Sequence, residues 1–252
     1  MPSKSIGLSS AERPSPRRTY RSQLRQRQAQ QTRLRIVAAA AELFAELGYA
    51  RTTLAKIAAA ADVSIETVQA QGSKASLMIA SVEFAAFGVT GDQSVLDLDV
   101  GRRFVAITDP DEALRFLVAE QAAIHERSAR VTQALYGAAA ADPELDGYLG
   151  ELIAGVGRQV RRILEVCRER DWLRDDVPFD ELVETVVVIS SLDTFIRMVH
   201  RDGWTVDAYR AWFRRMVEEV VLRPRQPNVN TKPSTPASRN SISKSRSSIG
   251  EG

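Results

Sequence analysis

The sequence is poor in the residue types that many function classes need. It has one cysteine, Cys167, which excludes a disulfide framework and any metal site built from several cysteines. A reducing cytoplasm is the simplest home for such a chain. It has two histidines, His125 and His200, and aromatics make up 6% of the residues. No apolar run approaches the ~18 residues of a membrane span; the best stretch, Leu182–Leu192, is broken by Glu184, Thr185, Ser190 and Ser191. The N-terminus is basic but has no apolar segment of the kind a secretory signal carries. There is no Gly-rich phosphate loop, no metal-ligand cluster and no nucleophile elbow, so neither an enzyme nor a cofactor or metal is expected. The carboxylate pairs Asp175-Asp176 and Asp109/Asp111 fall at helix starts, where acids suit the helix dipole.

The net charge of +2 conceals an asymmetry. Residues 1–35 hold nine basic residues and one acid, and residues 222–252 hold six and one. The body between them has 19 basic against 30 acidic residues. An acidic body with basic ends points to a polyanionic partner, nucleic acid before membrane. Seven of the ten prolines lie in the tails, and only Pro110, Pro143 and Pro178 fall between. Residues 1–28 and 223–252 are polar and poor in large apolar groups, so disordered arms are expected there.

What lies between has helical periodicity and no strand alternation, which makes the expected fold class all-α. Apolar residues at Ile36, Ala40, Leu43, Phe44 and Leu47 predict a helix over about 30–47, ended by Gly48. Thr53 caps a short helix over about 53–60, Ser64 another over 64–70, and Ser73 a longer one over 74–89. Asp109-Pro110 and Asp142-Pro143 each pair a cap with a first-turn proline, opening helices over about 110–137 and 143–171. The first of these is open to a break near Arg127-Ser128. Helices over about 180–201 and, after Thr205, 206–222 complete about nine in all. The domains expected are a basic arm over 1–28, a domain of one long and several shorter helices over 29–88, a larger helical domain over 89–222 and a tail over 223–252.

Two short helices behind a longer one, with Ala58–Ala61 where they cross and Ile57 and Val63 as plugs, match a helix-turn-helix. The second helix would present Ser64, Ile65, Glu66 and Thr67 to the major groove, and its amides and the Ser64 hydroxyl to phosphate. The stretch 39–77 resembles the tetracycline-repressor (TetR) family of bacterial regulators. The resemblance is carried by Ala40, Phe44, Gly48-Tyr49, Thr52-Thr53, Ile57-Ala58, Val63-Ser64, Thr67, Ser73-Lys74 and Leu77. It implies a homodimer with an N-terminal domain that binds a palindromic double-stranded operator. A larger C-terminal domain would bind a small-molecule inducer and dimerise through its last two helices. By position, Thr53 and Lys74 would touch phosphate and Thr67 would sit on the recognition helix. The sequence departs from the family pattern at Gln69–Gly72, where an aromatic is missing and the segment is one residue short. Gln69 retains the chemistry to bind phosphate or adenine.

Arg25 and Arg27, with Arg17, Arg18 and Arg21, are expected in an arm that adds minor-groove or phosphate contacts. Phe116, Tyr136, Trp172 and Met198 are the candidates for an inducer pocket. Phe195, Tyr209, Trp212, Phe213 and Met216 are candidates for the dimer interface. The two histidines are expected as surface or capping groups and Cys167 as a structural, half-buried thiol. The competing reading is a helical ligand-binding or interaction dimer with a degenerate reading head, whose basic tails bind nucleic acid nonspecifically.

Overall fold

The computed structural model describes residues 16–87 and 99–224. Among them there are helices and no strand; one antiparallel bridge, Leu173 to Leu222, ties the loop after the seventh helix to the chain leaving the last one. The order is α1 (Pro16–Arg51), α2 (Leu54–Ala61), α3 (Ile65–Gln69), α4 (Lys74–Phe87), α5 (Asp99–Ala106), α6 (Pro110–Ala139), α7 (Pro143–Glu169), α8 (Phe179–Ile189), α9 (Leu192–Phe195), a π-helical turn (Ile196–Arg201) and α10 (Val206–Val220).

The helix starts follow from short-range chemistry. Asp109 Oδ1 accepts from Glu112 N at 2.7 Å, Asp142 Oδ1 from Glu144 N at 3.1 Å, and Thr205 Oγ1 from Ala208 N at 3.1 Å. Each satisfies an amide that has no partner inside the helix. Gly48 has φ 75°, a left-handed conformation that ends the regular part of α1. No atom crowds the place of a Cβ there, so it is the backbone, not space, that calls for glycine. The fully buried Thr52 then donates to Leu43 O and Gly48 O, closing the turn.

The structure departs from the sequence reading at four places. α1 begins at Pro16, well before residue 30. The stretch 16–35 is poor in large apolar groups, but Arg and Gln are among the better helix formers, and a polar extension of a packed helix adds one hydrogen bond per residue. Residues 1–15 of the expected arm and 225–252 of the expected tail lie outside the described residues. α5, over Asp99–Ala106, was not foreseen; it buries Phe104. α6 runs unbroken through Ser128, whose hydroxyl donates back to Ile124 O at 2.8 Å. The expected helix over 180–201 is interrupted at Ser190, after which Ser191 caps a new turn. The β-branched run Val186–Ile189 is helical, as its longer period implies.

Two cores form. The first joins Ile36, Ala40, Phe44, Ile57, Val68, Leu77 and Met78 to Val131, Leu135 and Leu145. The far end of α6 and the start of α7 are thus packed into the N-terminal helices. The second core gathers Phe104, Leu114, Val118, Leu164, Cys167, Leu182, Phe195, Tyr209 and Phe213. Cys167 is buried and burial pushes its thiol up to about 12, so it stays protonated and inert, as a structural thiol would. No described helix is long and apolar enough to cross a membrane.

Candidate nucleic-acid interface

The two short helices are built by alternating anchors and exposed positions. In α2, Ile57, Ala58 and Ala61 are buried. Thr53 caps its start, accepting from Lys56 N at 3.3 Å, and Asp62 ends it in the left-handed conformation with its N–H on Ala58 O and Ala59 O. Ser64 then caps α3, its Oγ accepting from Thr67 N at 3.2 Å. Val68 is fully buried, and it fixes the face that α3 turns inward. Ile65, Glu66 and Gln69 are exposed, and Gln69 stands four and three residues on from the other two, so it shares their outward side. Ser64 is exposed beside them at the N-terminus. Glu66 is held below the usual carboxylate range, first by its own backbone N–H and then by the Ser64 hydroxyl. It therefore presents an anion that accepts hydrogen bonds.

Thr67 lies on α3, as expected. It is half-buried and its Oγ1 lies 3.1 Å from Ser64 Oγ, which makes it part of the cap. Lys74 Nζ donates to Tyr49 O at 3.0 Å and Thr52 O at 3.3 Å and lies 4.0 Å from the centre of the Tyr49 ring. The ammonium that was expected to meet phosphate ties the start of α4 to the end of α1. Lys74→Ala is expected to destabilise the N-terminal helices by about 2 kcal/mol, a charged donor's worth of hydrogen bonding; Lys74→Arg should recover part of it. Urea unfolding followed by far-UV circular dichroism measures both.

The segment that lacks the family aromatic closes by other means. Gln71 N and Gly72 N donate to Val68 O and Gln69 O, and Arg33 Nη1 donates to Gln71 Oε1 at 3.4 Å. Gly72 has φ 131°, which calls for glycine, and a Cβ there would crowd Ser76 Cβ at 3.1 Å. Arg25 and Arg27 are exposed but lie within α1, not in an arm before it. At 1.5 Å per residue, Arg25 sits about 16 Å along the helix from Ile36 at the edge of the core.

The other candidates disperse. Phe116 and Tyr136 stand on the one continuous helix α6, about 30 Å apart, too far to line one small-molecule pocket. Phe116 carries Arg103 over its ring and Trp172 carries Arg170, while Met198 packs against the second core. Phe195, Tyr209 and Phe213 are not surface groups for a second copy: they are buried in this chain's own core, Phe195 and Tyr209 edge to face at 5.0 Å. Trp212 and Met216 are half-buried at its margin.

His125, expected at the surface, is buried between Phe195 and Tyr209. Burial pushes it down to about 4. Its Nε2 lies 2.7 Å from Gln121 Nε2, which makes that ring nitrogen the acceptor and leaves the proton on Nδ1. Neither His125 Nδ1 nor the Tyr209 hydroxyl has a protein partner. Periodicity could have found this: His125 falls on the apolar stripe Leu114, Val118, Ala122, Ala129.

The exposed large apolar groups include Ile153 and Val156 on α7 and Val188 on α8, Val188 at 63% exposure. Arg161 on α7 and Asp180 in the first turn of α8 form an ion pair at 2.8 Å. Gly150 and Gly157 flank Ile153 on the same face, with nothing within 4 Å of a Cβ at either.

Residues 36–80 match the family model of bacterial regulatory proteins, tetR family. No curated protein matches the chain. Among solved structures, a transcriptional regulator from Saccharomonospora viridis in complex with choline is similar at 18% identity and TM-score 0.59, over 77% of this chain and 99% of that one. The fatty acid degradation regulator FadR from Bacillus halodurans is similar at 19% and 0.59, over 73% and 92%. SmeT in a complex with triclosan is similar at 19% and 0.60, over 80% and 98%. At these identities the likeness is one of fold.

Proposed function

We propose that this chain, a TetR-family transcriptional regulator by its matched helix-turn-helix domain and its fold, is a ligand-responsive repressor that binds a palindromic operator as a homodimer. The observation that carries the reading is α3: a capped recognition helix anchored by Val68, with Ser64, Ile65, Glu66 and Gln69 all exposed. Those four match what a major groove offers. Gln pairs with adenine N6 and N7, a carboxylate accepts from cytosine N4, and an apolar group meets the thymine methyl. Ser64 and the first amides of α3 would take phosphate, with Thr53 doing the same at α2.

Two heads must sit about 34–36 Å apart to enter successive major grooves. We assign the homodimer to the face of Ile153, Val156 and Val188, where the open glycines let a second helix come close. Trp212 and Met216 stay as candidates at the margin. Val188→Glu with Ile153→Glu is expected to convert the dimer to monomer in analytical ultracentrifugation without loss of helicity. A double variant that still sediments as a dimer removes this face from the assignment.

The inducer would bind in the second core. Solved structures of the same fold hold choline or triclosan, small molecules both. The two unpartnered donors, His125 Nδ1 and Tyr209 Oη, favour a ligand that offers an oxygen acceptor there. A ligand that prefers a misspaced dimer lowers operator affinity by its differential affinity for the two states.

The test is fluorescence anisotropy on DNA from upstream of the protein's own gene, against scrambled DNA of equal length, over a salt series. Preference of at least ~10³-fold for the native fragment is expected. Equal binding to both fragments, vanishing together as salt rises, would instead indicate a degenerate head and electrostatic binding by the basic ends.

A further inference from the structure

The first turn of α7 reaches back to the reading head at two points. Asp142 uses its carboxylate twice: Oδ1 caps α7 through Glu144 N and Leu145 N, and Oδ2 accepts from Tyr49 Oη at 2.9 Å. Two residues on, Glu144 Oε1 accepts from Ser76 Oγ at 3.2 Å and Oε2 from Ser73 Oγ at 3.5 Å. Tyr49 belongs to the elbow between α1 and α2. Ser73 and Ser76 belong to the elbow between α3 and α4, where Ser73 Oγ also caps α4 by accepting from Ser76 N. The two elbows are the ends of the α2–α3 unit, and Lys74 joins them to each other through Tyr49 O and Thr52 O.

The apolar contacts across this junction, Leu145 with the first core among them, hold the head against the body but are non-directional. Hydrogen bonds to carboxylates are directional and about twice as strong as neutral ones. Three of them, one from Tyr49 and two from Ser73 and Ser76, all to a single helical turn, resist tilting of α3 in a way that a hydrophobic contact does not. α7 also carries the exposed Ile153 and Val156 further along its length.

We infer that Asp142 and Glu144 are positioning residues for DNA recognition: through Tyr49, Ser73 and Ser76 they fix the orientation of the recognition helix relative to the body. They touch no base. Their effect is to keep the free protein in the binding-competent orientation, so that the ordering is not left to the moment of binding. The part of this inference that concerns DNA rests on the function proposed above; the part that concerns the head's orientation does not.

Amide hydrogen exchange on the free, full-length protein tests it without DNA. Tyr49→Phe removes one hydroxyl and leaves the ring. Asp142→Ser keeps a capping oxygen but is too short to reach Tyr49. Both are expected to speed exchange across residues 62–73 by about tenfold, with exchange in the second core, over 113–129, unchanged. The double variant should match the larger single effect, because both remove one contact. Glu144→Ala should speed the same segment, and Glu144→Gln, which keeps one acceptor, should restore part of the protection. Wild-type exchange in both Tyr49→Phe and Asp142→Ser, or additive effects in the double variant, overturns the inference.

On DNA, Tyr49→Phe is expected to weaken specific binding about tenfold with an unchanged salt slope, since no phosphate contact is lost. A reduced slope would make Tyr49 a phosphate contact and overturn the positioning role. Absence of specific binding by the wild type would defeat the proposed function, while the exchange result would still decide whether the carboxylates hold the head.

Discussion

On the proposed function, Gln69→Ala is expected to lower affinity of a dimer for its palindromic operator by about 2–6 kcal/mol, that is, from about thirtyfold to more than ten-thousandfold. The effect follows from position. Gln69 is exposed on the last turn of α3, about 100° around the helix from the buried Val68 and one turn on from Ile65 and Glu66. A bidentate contact with one base is worth about 1–3 kcal/mol, and a palindrome repeats it in both half-sites. Binding to scrambled DNA and the salt slope should not change, because no phosphate contact is removed. Anisotropy titrations on both fragments measure all three quantities. Undiminished specific affinity in the alanine variant would show that Gln69 reads no base.

The second large effect is on stability in acid. Folded His125 titrates at about 4, against an ordinary value near 6.5, because burial disfavours its charged form. Below pH 6.5 the unfolded chain takes up a proton that the folded chain refuses. Stability from this group is therefore complete above 6.5 and lost as pH falls from there towards 4, by about 3 kcal/mol in all. His125→Gln keeps an acceptor near Gln121 and removes the titration. Its unfolding free energy, from urea melts at a series of pH values, should fall less steeply between pH 6.5 and 4 by that amount. Glu126 and Arg210, an ion pair at 3.8 Å on the adjoining turns, remain in both proteins and drop out of the comparison. Parallel curves for the two proteins would place the acid sensitivity elsewhere.

The helix starts were legible in the sequence because a cap acts within three residues. Thr53, Ser64, Asp109, Asp142 and Thr205 each accept from an amide two or three residues on. The apolar period likewise foretold Phe44, Ile57 and Leu77 in the core. The polar start of α1 was missed, since composition signals what cannot be buried, not what can be helical. α3 was legible as a helix, and which of its side chains face outward only in part. Ser64, Ile65, Glu66 and Gln69 are exposed, but Thr67 turns to the cap and Lys74 to the carbonyls of Tyr49 and Thr52.

The sequence by itself determined the all-α class, the caps, the helix-turn-helix and the charge contrast between body and ends. All of these rest on interactions between residues a few positions apart or on composition. Only the tertiary structure decided what lies on which side of a contact. It turned Phe195, Tyr209 and Phe213 from candidate interface into core, and it buried His125 between aromatic rings from two other elements. It also brought Asp142 to Tyr49 across 93 positions of chain. A stripe of apolar residues specifies that a helix face is covered; which surface covers it depends on packing between helices far apart in sequence.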